Sequence, residues 1–302
     1  MNVSVVGCGT VGTTVSACLA DLGHEVTVIG TDAATVDRLN AGETPIQEPG
    51  LDPLVSAYAG GRLRATTEYA AAVDTDLTIL AVETPSLPDG SIDSAELVAA
   101  ARAVGEALAK TDGYHLIVVK SAVLPGTLDD LIGAIGTASG KTDGVEFSVA
   151  VNPEFQRSGR AVRDFMEPDR IVIGTDGDER GLDLLAELYQ PLVSDWEIPV
   201  VEVGRREAMA VRYVSSAILA AKRSLRGEIT DLCVALDADA RTVADAVGLE
   251  DGIDETFLDA GPEADDDRLL TDVAALLSEA GSDGGGFRAI EAAIESGGPA
   301  ER

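Results

Sequence analysis

Three glycines stand at the spacing G-x-G-x-x-G near the start of the chain, in Gly7-Cys8-Gly9-Thr10-Val11-Gly12. Glycines do no bond chemistry themselves; at this spacing they make room for an anion. The first permits a tight turn, the second lets the backbone approach a pyrophosphate, and the third lets a helix pack closely on a strand. A helix opening there offers free N–H groups to negative charge. The flanking residues supply the elements that such a loop needs. Val3-Ser4-Val5-Val6 reads as a short buried strand, and Thr13 to Leu22 as a helix with apolar positions at Val15, Leu19 and Leu22. Gly23 ends that helix, and Val26-Thr27-Val28-Ile29 reads as a second strand. Strand, glycine turn, helix and strand in this order are the context of a dinucleotide-binding fingerprint. The plain alternative is a glycine turn with no ligand. Gly7, Gly9, Thr10, Val11 and Gly12 are the candidate cofactor contacts.

One part of the fingerprint is altered. An acid at the end of the second strand usually holds the adenosine ribose, but Gly30 stands there and the nearest acid is Asp32. Asp32 either reaches the ribose or caps the following helix, and both readings stay open. Further candidates lie at the carboxyl ends of later strands, where ligands sit in open α/β sheets. Glu83, Thr84 and Pro85 follow a strand over Leu77 to Val82, and Ser121 and Ala122 follow one over Leu116 to Lys120. Glu154, after a strand over Val145 to Val151, either polarises a water or accepts backbone N–H groups in its own loop. His24 and His115 read as non-catalytic residues in surface turns. Cys8, Cys18 and Cys233 are scattered and fit neither a metal spacing nor a disulfide framework, so no metal site is expected.

Strand and helix patterns alternate as far as Val200 to Val203, which predicts a doubly wound, mostly parallel sheet. The pattern then changes. Arg205 to Leu236 contains no proline and a single glycine, Gly227, and reads as one long helix, followed by a small all-α region. The expected division is a Rossmann-like domain over 1–203 and a helical domain over 204–302. A chain of 302 residues with 45% hydrophobic content suits two domains with real cores. No apolar run is long enough to span a membrane, and the N-terminus lacks the pattern of a signal peptide. A cytoplasmic protein is the expectation.

The net charge of −31 is spread along the chain, and only four lysines are present, Lys110, Lys120, Lys141 and Lys222. Such a surface disfavours nucleic acid and fits a protein adapted to high salt, which screens the self-repulsion.

Several loops recur in one order: Leu39-Asn40-Ala41-Gly42 with Glu48-Pro49-Gly50-Leu51, Thr84-Pro85, Pro125-Gly126-Thr127, Asn152-Pro153-Glu154-Phe155, and Pro168-Asp169-Arg170-Ile171-Val172-Ile173-Gly174. Through these motifs the chain resembles the UDP-glucose/GDP-mannose dehydrogenases, from Met1 to about Leu276. The resemblance implies NAD as cofactor, a long central helix used for dimerisation, and a third domain that binds the nucleotide-sugar. It also implies oxidation of a sugar C6 alcohol to a carboxylate through a cysteine thiohemiacetal.

Against that pattern the sequence departs at most catalytic positions. Arg268 stands where the resemblance expects the cysteine nucleophile, Arg212 where it expects a lysine, and Ser216 an asparagine. Ala122 stands for a threonine and Ser158 for a glutamate, whereas Glu154 and Asp272 are retained. Arginine has no nucleophilic form at neutral pH. Glu263, Asp265, Asp266 and Asp267 would repel a sugar diphosphate. Lys222, three turns beyond Arg212, lies roughly 15 Å along the axis and is too far to substitute. The third domain is expected to be absent. The expectation is a weakly NAD-binding family member, with poor preference over NADP and little or no nucleotide-sugar activity. The alternatives are an active nucleotide-sugar dehydrogenase or a simple alcohol dehydrogenase. The small-residue face Ser216, Ala217, Ala220, Ala221 and Ser224 is expected to form a homodimer, or a heterodimer with a full-length relative.

Overall fold

β1 (Asn2–Val6), α1 (Thr10–Asp21) and β2 (Glu25–Ile29) realise the opening strand–turn–helix–strand unit in a computed structural model, which describes residues 1–250 and 266–280 with Ile290 and Ala292. The remaining strands are β3 (Leu63–Thr66), β4 (Leu77–Leu80), β5 (His115–Val119), β6 (Phe147–Val151), β7 (Ile171–Gly174) and β8 (Val200–Val203). They form one sheet in the order β3-β2-β1-β4-β5-β6-β7-β8. All neighbours pair parallel except β6 and β7, which are antiparallel. The central strands β4, β5 and β6 are buried along their whole length, as expected when helices cover both faces. The order reverses between β1 and β4, and their carboxyl ends carry the glycine loop and Glu83-Thr84-Pro85. This is the switch point at which ligands enter such sheets.

The helices are α2 (Ala33–Asn40), α3 (Leu51–Tyr58), α4 (Ala95–Leu108), α5 (Pro125–Ser139), α6 (Ala161–Met166), α7 (Glu179–Trp196), α8 (Arg205–Ala235), α9 (Ala240–Val247) and α10 (Asp266–Ala280). Three of them have bounds with an identifiable cause. α5 starts at Pro125, because proline suits the first helical position. α7 runs past Pro191 to Trp196. Leu185, Leu188, Tyr189 and Leu192 are all buried at helical spacing, so core packing carries the helix through the missing N–H. α6 is only six residues long. Its first turn is held by Glu48, which accepts the N–H of Gly159 at 3.1 Å and of Ala161 at 2.7 Å from more than a hundred residues away.

Both histidines correct the expectation of surface turns. His24 and His115 are each 5% exposed. His24 Nε2 meets Leu188 O at 3.0 Å, and His115 Nε2 meets Thr78 Oγ1 at 2.8 Å. A residue flanking a strand is buried when helices cover that end of the sheet.

Two compact units divide the chain: Met1–Pro85 with Ile92–Ala210, and Ser86–Ser91 with Val211–Arg302. In the second, α8 packs on α10 through Ala217, Ala220, Leu269 and Val273. The small residues of α8 therefore admit a helix of the same chain, not a partner. That corrects the expected dimer face. A different stripe of α8 carries exposed apolar side chains: Val214, Ile218, Leu225 and Leu232. Their spacing of four, seven and seven keeps them on one heptad seam.

Candidate functional site

The glycine loop has the geometry that its spacing predicts. Gly7 has φ +120°, and a Cβ there would clash with the backbone of Ala81 at the end of β4. A Cβ on Gly12 would overlap the Gly7 carbonyl, so the third glycine is what lets α1 sit on the turn. Gly9 is the N-cap of α1 and has no side chain to satisfy the first turn, which contains no acid either. Thr10 and Val11 open the helix, and their N–H groups belong to the set without intrahelical partners. This end of α1 is built to attract an anion.

The ribose end is changed in a way that the sequence did not disclose. A Cβ on Gly30 would collide with Cys8 Sγ. The thiol thus fills the space in which the usual strand-end acid would begin. Burial, and then the Asp32 carboxylate, push the Cys8 pKa up to about 11, so the group is a neutral thiol at neutral pH. Asp32 itself caps α2. Its carboxylate accepts from Thr35 N at 3.0 Å, Thr35 Oγ1 at 2.6 Å and Ala34 N at 3.4 Å. The Thr35 bonds and the Ala34 bond hold its pKa below the usual carboxylate range.

The carboxyl ends of β4 and β5 are tied to each other. Ser121 Oγ donates to Val82 O at 2.7 Å, and Thr84 Oγ1 donates to Ala122 O at 3.0 Å. Pro85 accepts the Asp93 N–H at 2.8 Å and closes the loop that follows. Glu83 extends across to the glycine turn. A Cβ on Gly9 would overlap its carboxylate, 2.9 Å from Cδ.

Glu154 is 7% exposed and accepts the N–H of Gln156 at 2.7 Å. This is the loop-carboxylate arrangement that was one of its two readings. Its loop hangs from a buried cluster that sequence reasoning missed. Lys120 Nζ donates to Asn152 Oδ1 at 2.8 Å, Tyr189 OH donates to the same oxygen at 2.6 Å, and Asn152 Nδ2 donates to Val172 O at 2.8 Å. Lys120 also lies 5.9 Å from the Phe165 ring centroid and 6.0 Å from that of Tyr189, within cation–π reach. Burial pushes the Tyr189 phenol well above its ordinary pKa. The available signal was a lysine inside an otherwise apolar strand end.

In the second unit, Asp272 is 3% exposed and is held from α8 by two residues. Arg212 Nη2 donates to Oδ1 at 3.1 Å and Ser216 Oγ donates to Oδ2 at 2.8 Å. Arg212 and Ser216 are themselves buried, at 7% and 2% exposure. Arg268 lies one turn before Asp272 on α10 and is half-buried. The aligned loop from Gly261 to Asp265 lies outside the described residues, as does nearly all of the short helix expected over Phe287 to Glu295. Among the described residues no group of His, Cys, Asp or Glu could hold a metal ion, and no helix is long and apolar enough to cross a membrane.

Comparison with known proteins matches both halves of the chain. Residues 1–193 match the NAD-binding domain of the UDP-glucose/GDP-mannose dehydrogenase family, and residues 206–297 match its central domain. The chain is 44% identical over 297 residues to a UDP-glucose 6-dehydrogenase of Haloferax volcanii, covering 98% of this chain and 69% of that protein. It is 37% identical to a UDP-glucose 6-dehydrogenase of Rhizobium meliloti, covering 97% and 67%. Among solved structures, a UDP-glucose dehydrogenase from Pyrobaculum islandicum superposes with a TM-score of 0.86 at 38% identity, covering 98% of this chain and 67% of the other. A GDP-mannose dehydrogenase from Pseudomonas aeruginosa gives 0.77 at 34%, covering 83% and 57%. Together the two family matches and these likenesses show that the chain belongs to the UDP-glucose/GDP-mannose dehydrogenase family and carries that family's NAD-binding and central domains.

Proposed function

We propose that this chain binds NAD through the glycine loop and has little or no nucleotide-sugar 6-dehydrogenase activity. The reading takes residues 1–203 as the cofactor domain and 204–302 as the helical one. The observation that carries it is the buried Arg212–Asp272–Ser216 cluster. At these positions the family resemblance expects a lysine, an aspartate and an asparagine. Arginine is too basic to exchange a proton near neutral pH. Covalent catalysis needs an activated nucleophile, and Arg268 at the expected cysteine position supplies none.

The assay is the growth of the reduced-nicotinamide absorbance band with UDP-glucose, a UDP-N-acetyl sugar or GDP-mannose, in molar KCl, with NAD or NADP. An active family member serves as control. The expected result is no turnover above background, and none for Arg268→Cys alone, since several members of a catalytic set lost together remove about 10⁴-fold or more of rate. Turnover within about a hundredfold of the control would sink the proposal. It would favour the second reading, an active dehydrogenase, which rests on the 44% identity to a protein named as one.

The family's long helix supports a dimer as well. The exposed stripe Val214, Ile218, Leu225 and Leu232 on α8 is its proposed seam, with a second copy of this chain as the occupant.

A further inference from the structure

The second glycine of a dinucleotide fingerprint has no Cβ so that a pyrophosphate can come close to the backbone. In this chain that space already holds an anion. A Cβ on Gly9 would overlap Glu83 Oε1, with Cδ at 2.9 Å and Cγ at 3.1 Å. Glu83 reaches this point from the carboxyl end of β4, directly across the sheet's switch point from the glycine turn. Among the described residues no hydrogen bond or ion pair holds its carboxylate, and the residue is exposed. The uncapped N-terminus of α1, with no acid of its own in the first turn, supplies the field that favours negative charge there. Glu83 thus stands where a phosphate of the cofactor would stand, on a side chain free to leave.

We propose that Glu83 is an internal competitor for the pyrophosphate site: NAD enters only when the Glu83 side chain swings away from Gly9. The inference rests on the cofactor reading above and adds a determinant to it. Two consequences follow from the charge. The diphosphate meets repulsion from Glu83 even after the side chain moves, because its backbone stays beside the turn. That repulsion is screened at molar salt, where the Debye length is about 3 Å, and much less at about 0.1 M, where it is about 10 Å. Glu83 therefore makes cofactor affinity rise with salt by more than the net charge of the chain alone would.

The test is calorimetric titration of the whole chain with NAD, and separately with inorganic pyrophosphate, at about 0.2 M and about 2 M KCl. The proteins are the unmodified chain, Glu83→Gln and Glu83→Gly, with thermal melts to show that each is folded. Glu83→Gly is expected to bind NAD about tenfold tighter at the lower salt, and Glu83→Gln several-fold tighter, with both gains shrinking at the higher salt. Pyrophosphate should follow the same order. Equal or weaker NAD binding by Glu83→Gly overturns the inference and makes Glu83 a cofactor ligand, while leaving the cofactor reading intact. Failure of all three folded proteins to bind millimolar NAD overturns both together. Gains that do not change with salt overturn the electrostatic part and leave simple steric blockage.

Discussion

Arg212 on α8 and Asp272 on α10 meet at 3.1 Å with side-chain exposures of only 8% and 3%. A charge pair this deep has lost most of its hydration, and the Arg212 guanidinium offsets the buried Asp272 charge. Ser216 fills the second carboxylate oxygen at 2.8 Å. The pair therefore clamps two helices of the second unit at a place where the family resemblance expects catalytic groups.

Removing both sides of this clamp should cost clearly less than the two single removals taken together. Arg212→Met leaves the Asp272 carboxylate buried without its charge partner, Asp272→Leu takes the buried carboxylate away from Arg212, and each should cost about 3–5 kcal/mol. The double variant should cost clearly less than the sum of the singles. Urea unfolding in molar KCl, followed by circular dichroism, measures all three. Additive costs would show that the pair is not coupled.

Stability should fall as the pH drops from about 6.5 towards 4. Burial, and then Lys141, push the His115 pKa down to about 4, while Asp76 opposes them weakly. The unfolded chain takes up this proton near pH 6.5 and the folded chain only near 4, so the unfolded state binds more protons within that window. The contribution is fully present above the unfolded pKa and amounts to up to about 3 kcal/mol lost on acidification. His24 is lowered in the same direction, mainly by burial. The lowered pKa values of Asp164 and Asp178 act only at more acid pH. Unfolding midpoints of the unmodified chain and His115→Gln between pH 7 and 4.5 form the test, and an unchanged slope in the variant would remove His115 from the account.

The spread charge of −31 should make the fold salt-dependent. The thermal midpoint is expected to rise by about 10 °C or more between about 0.2 M and about 2 M KCl, as screening shortens the range of self-repulsion. A flat response would refute adaptation to high salt.

The α8 seam gives a prediction that separates its two faces. Light scattering in molar KCl should give about twice the chain mass of 31.1 kDa. Ile218→Glu with Leu225→Glu should give the monomer mass with an unchanged circular dichroism spectrum, because both side chains are exposed. A monomer from the unmodified chain at micromolar concentration would rule out this interface.

Local pattern was enough for much of this protein. Gly7, Gly9 and Gly12 announce their turn because only glycine tolerates φ +120° at Gly7 and the backbone contact at both Gly7 and Gly12. Alternating strand and helix periodicity announces the parallel sheet, and an unbroken helical run from Arg205 announces α8. What the tertiary structure alone decided depends on residues far apart in the chain. Glu48 starts α6, Thr78 meets His115, and Asn152 gathers Lys120 and Tyr189, none of which leaves a periodic trace. Periodicity likewise shows that α8 has a small-residue face but not what covers it, since α10 competes for the same close packing as a second copy would. The cofactor loop makes the point most directly. The sequence shows three glycines and a missing acid at Gly30, while the space that each glycine opens is assigned only in three dimensions. Cys8 fills one such space and Glu83 another, because side chains from neighbouring strand ends converge where the sheet order reverses.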